Sequence, residues 1–136
     1  MPMVEISNGE LADKWTILEI KVSLLTNPAQ LKNLSIEVSR LEPMARELSE
    51  NSEVRFLINQ LKETNLTIWN LMEKLYKLNT KMKLEYVELT IEITQHNQRR
   101  AFLKKEIDVL SKSSFTEAKS FFENPSFVLK KVKNEP

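Results

Sequence analysis

Gly9 is the only glycine in a chain of 136 residues, and that scarcity constrains the fold more than any other feature. Tight β-hairpin turns draw on glycine for backbone with positive φ, so a chain with one glycine is poorly suited to a fold of many short strands. Phosphate loops and dinucleotide-binding fingerprints need several glycines at fixed spacing, and one glycine builds neither. Leu, Glu, Lys, Ile and Asn dominate instead, the composition of long helices. With 41% hydrophobic and 29% charged residues the chain can bury a core and is not of the disordered type. The expected fold class is therefore all-α, in one domain.

Ser7-Asn8-Gly9-Glu10 has the pattern of a capping box, in which Ser7 and Glu10 satisfy each other's free backbone N–H groups, with Ile6 and Leu11 placed as a hydrophobic staple. A first helix of about 8–26 starts there. Asn27-Pro28 caps and opens a second helix of about 28–49. Its apolar residues Leu31, Leu34, Val38, Leu41, Ala45 and Leu48 keep one phase across Pro43, which predicts a kink rather than a domain boundary. A third helix of about 52–79 carries Val54, Ile58, Leu61, Asn65, Ile68, Met72, Leu75 and Asn79 in the same alternating step, which continues to Met82. Asn79-Thr80-Lys81 is the best turn into a fourth helix of about 84–112, with one long helix running through it as the competing reading. The seam of that helix reads Leu89, Ile93, His96, Arg100, Leu103, Ile107 and Leu110, so an imidazole and a guanidinium fill the middle of an apolar stripe. These four main helices are expected to form an antiparallel bundle. A short C-terminal helix over Thr116 to Phe122 completes a domain of residues 1–122, and residues 123–136 form a basic, flexible tail.

The first helix has two apolar sides, Leu11, Trp15, Leu18, Val22 and Leu25 on one and Ile17, Ile20 and Leu24 nearly opposite. It is either central in the bundle or packed against a second subunit, and a homodimer through one side of this helix or through the long third and fourth helices is the expected assembly. Glu10, Lys14 and Lys21 form a charged strip between its apolar sides, with Glu10 four residues before Lys14 in the favourable orientation for an ion pair. That strip reads either as a solvent window or as a ligand-facing surface. On the fourth helix His96, Asn97, Arg100 and Lys104 line adjacent rows, and with Asn65 or Glu73 they can make a cleft for an anion, Arg forking onto phosphate or carboxylate. The competing reading is a buried polar layer that fixes helix register, Arg100 being paired with a carboxylate such as Glu73 or Asp13.

Other chemistries have little support. There is no cysteine, hence no disulfide and no thiolate metal site, and His96 is the only histidine. No Gly-rich elbow surrounds a serine, so no metal, cofactor or nucleophilic centre is expected. The N-terminus MPMVEIS lacks a signal pattern and no stretch nears the ~18 apolar residues of a membrane span, which suggests a cytoplasmic protein. Net charge is +1, divided as −4 over residues 1–53 (5 basic, 9 acidic) and +5 over 54–136 (15 basic, 10 acidic). Lys74, Lys77, Lys81 and Lys83, joined by Arg99, Arg100, Lys104 and Lys105, suggest phosphate contacts, but the interleaved Glu73, Glu85, Glu88 and Glu106 argue against a nucleic-acid partner.

GELADKWTILEIK, with the later stretches NLTIWNLMEK and NQRRAFLKKEIDVLSKSSFTEAKSF, resembles a family of small helical proteins of unknown function found in bacteria and some of their viruses. The likeness covers roughly residues 4–122. Its first motif, G-E-L-x-D-K-x-T-I-L-x-I-K, is matched from Gly9 to Lys21; the others at Asn65, Trp69 and Glu73, and at Asn97, Arg100, Ala101, Lys104 and Ile107. The resemblance implies a helical fold and brings no reaction. Together these readings favour a non-catalytic binding or assembly module. Its polar layer, Glu10, Asp13 and Lys14 against Asn65, Glu73, Asn97 and Arg100, is expected to hold an anionic small molecule or a partner segment. The alternatives are a small bundle enzyme acting on an anionic metabolite, with Arg100 and Lys104 as anion binders and Glu73 or Glu10 as base, and a purely structural oligomerisation protein.

Overall fold

The computed structural model describes residues 2–78 and 81–112. They form four helices and, among the described residues, no strand: α1 Asn8–Leu24, α2 Pro28–Leu48, α3 Ser52–Lys77 and α4 Lys83–Leu110. The chain is an all-α bundle with boundaries within about two residues of those expected. The expected C-terminal helix and basic tail lie outside the described residues.

Three of the four helices begin where a short polar side chain takes up free N–H groups, whereas α4 starts after Met82 with no side-chain cap. Ser7 Oγ accepts from Glu10 N, Asn27 Oδ1 from Ala29 N and Gln30 N, and Asn51 Oδ1 from Glu53 N and Val54 N. Pro28 takes the first turn of α2, where its missing N–H costs nothing. Pro43 does not divide α2, which is assigned as one helix from end to end. The capping box at Ser7 forms in one direction only. The Glu10 carboxylate, expected to turn back to Ser7 N, goes to a cation on α4 instead.

α1 packs against each of the other helices, α3 pairs with α4, and α2 lies chiefly on α1. α1 is the central helix, with Leu11, Leu18 and Ile20 buried from its two apolar sides, while Val22 and Leu24 near its C-terminal end are exposed. A continuous core of Ala12, Val54, Ile58, Leu61, Leu103 and Ile107 fills the space between α1, α3 and α4, with Leu48 and Leu57 packed on its edge. Each large aliphatic residue fully buried there contributes roughly 1.5–3 kcal/mol. Contacts between α1 and α4 step from Asn8–Ser111 through Gly9–Asp108 and Glu10–Lys104 to Asp13–Arg100, so the two helices run in opposite directions where they touch.

Candidate functional site: a polar layer between three helices

One turn beyond this core the interior becomes polar. Asp13 sits on the face of α1 turned toward α3 and α4 and is only 2% exposed. An isolated carboxylate there would be costly, and its surroundings are built to accept it. From α4, Arg100 Nε donates to Oδ1 at 2.8 Å and Arg100 Nη2 to Oδ2 at 2.5 Å, a two-pronged grip. From α3, Asn65 Nδ2 donates to Asp13 Oδ1 at 3.0 Å and to Thr16 Oγ1 at 2.9 Å, and Thr16 Oγ1 donates back to the Asp13 carbonyl at 2.9 Å. Lys104 Nζ lies 4.0 Å from Asp13 Oδ2 and 2.7 Å from Glu10 Oε2. Asn97 Oδ1 accepts from Arg100 Nη1 at 3.4 Å.

Burial by itself raises the Asp13 carboxyl, but hydrogen bonds from Arg100 and Asn65 and the charges of Arg100 and Lys104 outweigh it and hold it below its ordinary value. Asp13 is therefore an anion inside the bundle at neutral pH, with its lone pairs taken from three directions. The lowered value makes Asp13 a weaker base than an ordinary aspartate.

A second polar contact closes the end of the bundle. The buried Asp108 places Oδ1 at 2.5 Å from Gly9 N, supplying a carboxylate to the free N–H end of α1, where the helix dipole favours negative charge. Asn8 Nδ2 donates to Ser111 Oγ at 2.9 Å beside it. The approach is close enough to explain the lone glycine. A Cβ on Gly9 would run into the backbone carbonyl oxygen of Lys104 and lie 2.8 Å from Asp108 Oδ1.

Of the residues singled out in the sequence, the structure brings together Glu10, Asp13, Asn65, Asn97, Arg100 and Lys104. Lys14 is exposed, and Glu10 pairs with Lys104 rather than with it. The interhelix pair prevails because Lys104 Nζ is largely withdrawn from water, where attraction is screened less than on a helix surface. Glu73 is exposed and lies 4.0 Å from Lys77, away from Arg100. Trp69 and His96 are half-buried one turn from Asn65 and Arg100, and Lys21 lies two turns beyond Asp13; none of the three joins the hydrogen-bonded set. Thr16, Asp108, Asn8 and Ser111 were not anticipated as parts of the layer. Asp108 had a legible signal, lying four residues past Lys104 and eight past Arg100 on one helical face.

Among the described residues no group of His, Cys, Asp or Glu is arranged to hold a metal ion, and no helix is long and apolar enough to cross a membrane. No protein-family model matches the chain, nor does any curated protein or solved structure.

Proposed function

We propose that this protein is a non-catalytic assembly module of the cytoplasm, acting as a homodimer or on a partner segment, whose polar layer is an internal lock between helices rather than a ligand cleft. One observation carries the reading: the Asp13 carboxylate already occupies the fork of Arg100, the place an anionic ligand would take. An anion at this position must displace a covalently attached competitor whose effective concentration is very high. Glu10 holds Lys104 in the same way, so the second cation proposed for anion binding is also engaged from inside. Of the groups the enzyme alternative would use, Arg100, Lys104 and Glu10 are engaged inside the layer and Glu73 stands apart from them beside Lys77, which weighs against that reading. Several of the residues that carry the family resemblance, Gly9, Asp13, Asn65, Arg100 and Lys104, take part in this lock, while others, Lys14, Trp69 and Glu73, stand outside it; the overlap supports a role in specifying helix register.

The test is a thermal-shift titration of the full chain with inorganic phosphate, citrate and a nucleoside triphosphate, run beside Arg100→Lys. No anion is expected to stabilise the wild type beyond the salt effect seen with chloride. An anion that raises the melting temperature of the wild type, and does so much less for Arg100→Lys, returns the layer to the status of a ligand site.

A further inference from the structure

α4 is apolar on two opposite sides. At roughly 100° per residue, the buried Leu89, Leu103 and Ile107 and the half-buried Ile93 and Arg100 fall on one side, toward α1 and α3. Leu84, Val87, Ile91, Phe102 and Val109 fall within a narrow stripe on the reverse side. All five are exposed, Leu84 at 75% and Phe102 at 47%. The stripe runs almost the full 28 residues of the helix, about 42 Å, with Gln95 and Gln98 in its middle. A single exposed apolar residue is ordinary; five in register along one helix are the pattern of a helix–helix seam.

The edges of the stripe say what covers it. Glu88, Glu92 and Glu106 lie along one edge, where Arg99 is the exception, and Lys83 and Lys105 lie along the other. A two-fold axis parallel to the helix brings the acidic edge of one copy against the basic edge of the next, whereas an antiparallel pairing sets like charges against each other. In the parallel arrangement Lys83 faces Glu88 of the other copy and Lys105 faces Glu106, the flanking ion pairs that set orientation in paired helices. Among the described residues, α1 and α3 pack on the opposite side of α4 from the stripe. We infer that a second copy of this chain docks on the exposed stripe of α4, the two α4 helices lying side by side in the same direction. This rests on the assembly reading above and names its surface.

The experiment is sedimentation equilibrium of the full chain over a wide concentration range, with Ile91→Glu and Phe102→Glu each expected to weaken the dimer about tenfold or more. Circular dichroism confirms that each variant remains helical. If either unfolds, the exposed pair Lys83 and Glu88 serves instead: Glu88→Lys is expected to weaken association about two- to fivefold, and adding Lys83→Glu to restore it. Orientation is read from Leu84→Cys, since the chain has no cysteine of its own. Near one end of the stripe this thiol meets its own counterpart only in a parallel pair, so oxidation should yield a covalent dimer. A Leu84→Cys chain that stays uncrosslinked overturns the arrangement. A dimer indifferent to both glutamate substitutions also overturns it, while leaving assembly through another surface intact. A chain monomeric at every concentration overturns the homodimer itself, and the anion titration then decides the reading of the polar layer separately.

Discussion

The guanidinium of Arg100 grips both carboxylate oxygens of Asp13, at 2.8 Å and 2.5 Å, across 87 residues of sequence. Asp13 is all but sealed from water, whereas the Arg100 side chain is 31% exposed. The two ends of the pair are therefore unequal: loss of the arginine strands a buried anion, while loss of the aspartate leaves a cation that can still reach solvent. Arg100→Ala should destabilise the fold by about 3–4 kcal/mol and Asp13→Ala by less, about 2–3 kcal/mol, if Lys104 retains Glu10. Urea unfolding of the two variants checks the order, and equal losses would mean that the burial asymmetry does not govern the pair.

Acid should expose the same group. The Asp13 carboxyl is held below its ordinary value in the fold, so the folded state binds its proton less readily than the unfolded chain does. The stability this contributes is complete above the unfolded value of about 3.9 and is lost as pH falls through the lowered folded value. Urea midpoints measured from neutral pH downward should fall more steeply below about pH 4 for the wild type than for Asp13→Asn, which has no proton to take up. Two curves that stay parallel through that window would remove Asp13 from the acid response.

The helices were legible because the signals that make them are local: a serine or asparagine before an apolar step, a proline in a first turn, a seam of period 3.6. The polar layer was legible in part. Asn65 and Arg100 stand where the seam expects an aliphatic residue, and a polar residue at a core position must find a partner. Which partner it finds is a matter of three-dimensional placement. Glu10 had a cation one turn away in Lys14 and chose one 94 residues distant in Lys104, because the burial that favours the distant pair is a property of the packed bundle. The stripe on α4 was hidden for a related reason. Two apolar sides on one helix blur the amphipathic contrast, and only the packing of α1 and α3 shows which side is spent.

Gly9 gives a test in which the sign itself is diagnostic. Alanine normally stabilises a helical position relative to glycine by ~1 kcal/mol. At residue 9 the added methyl would meet the Lys104 carbonyl, which belongs to the backbone of α4 and moves only with the helix. Gly9→Ala should therefore destabilise, by about 1–3 kcal/mol, and weaken the Asp108 contact at the start of α1. A chemical-denaturation midpoint above that of the wild type would show that α1 and α4 sit farther apart.

Asn65 links α3 to the layer, donating through one amide nitrogen to both Asp13 and Thr16. Leucine has nearly the same shape but no donor, so Asn65→Leu leaves Asp13 with one fewer hydrogen bond while adding apolar surface. Asn65→Asp has the same size and places a second anion against Asp13. The leucine variant should lose about 1–2 kcal/mol. The aspartate variant should lose more, and its deficit should shrink as pH is lowered and one of the two carboxyls takes up a proton. Lys14→Ala, on the exposed side of the same helix, should change stability by less than about 0.5 kcal/mol and serves as the control. The decisive measurement is the pH dependence of the Asn65→Asp deficit: constant from neutral pH to about pH 4, it would mean that Asp13 and residue 65 do not share a site.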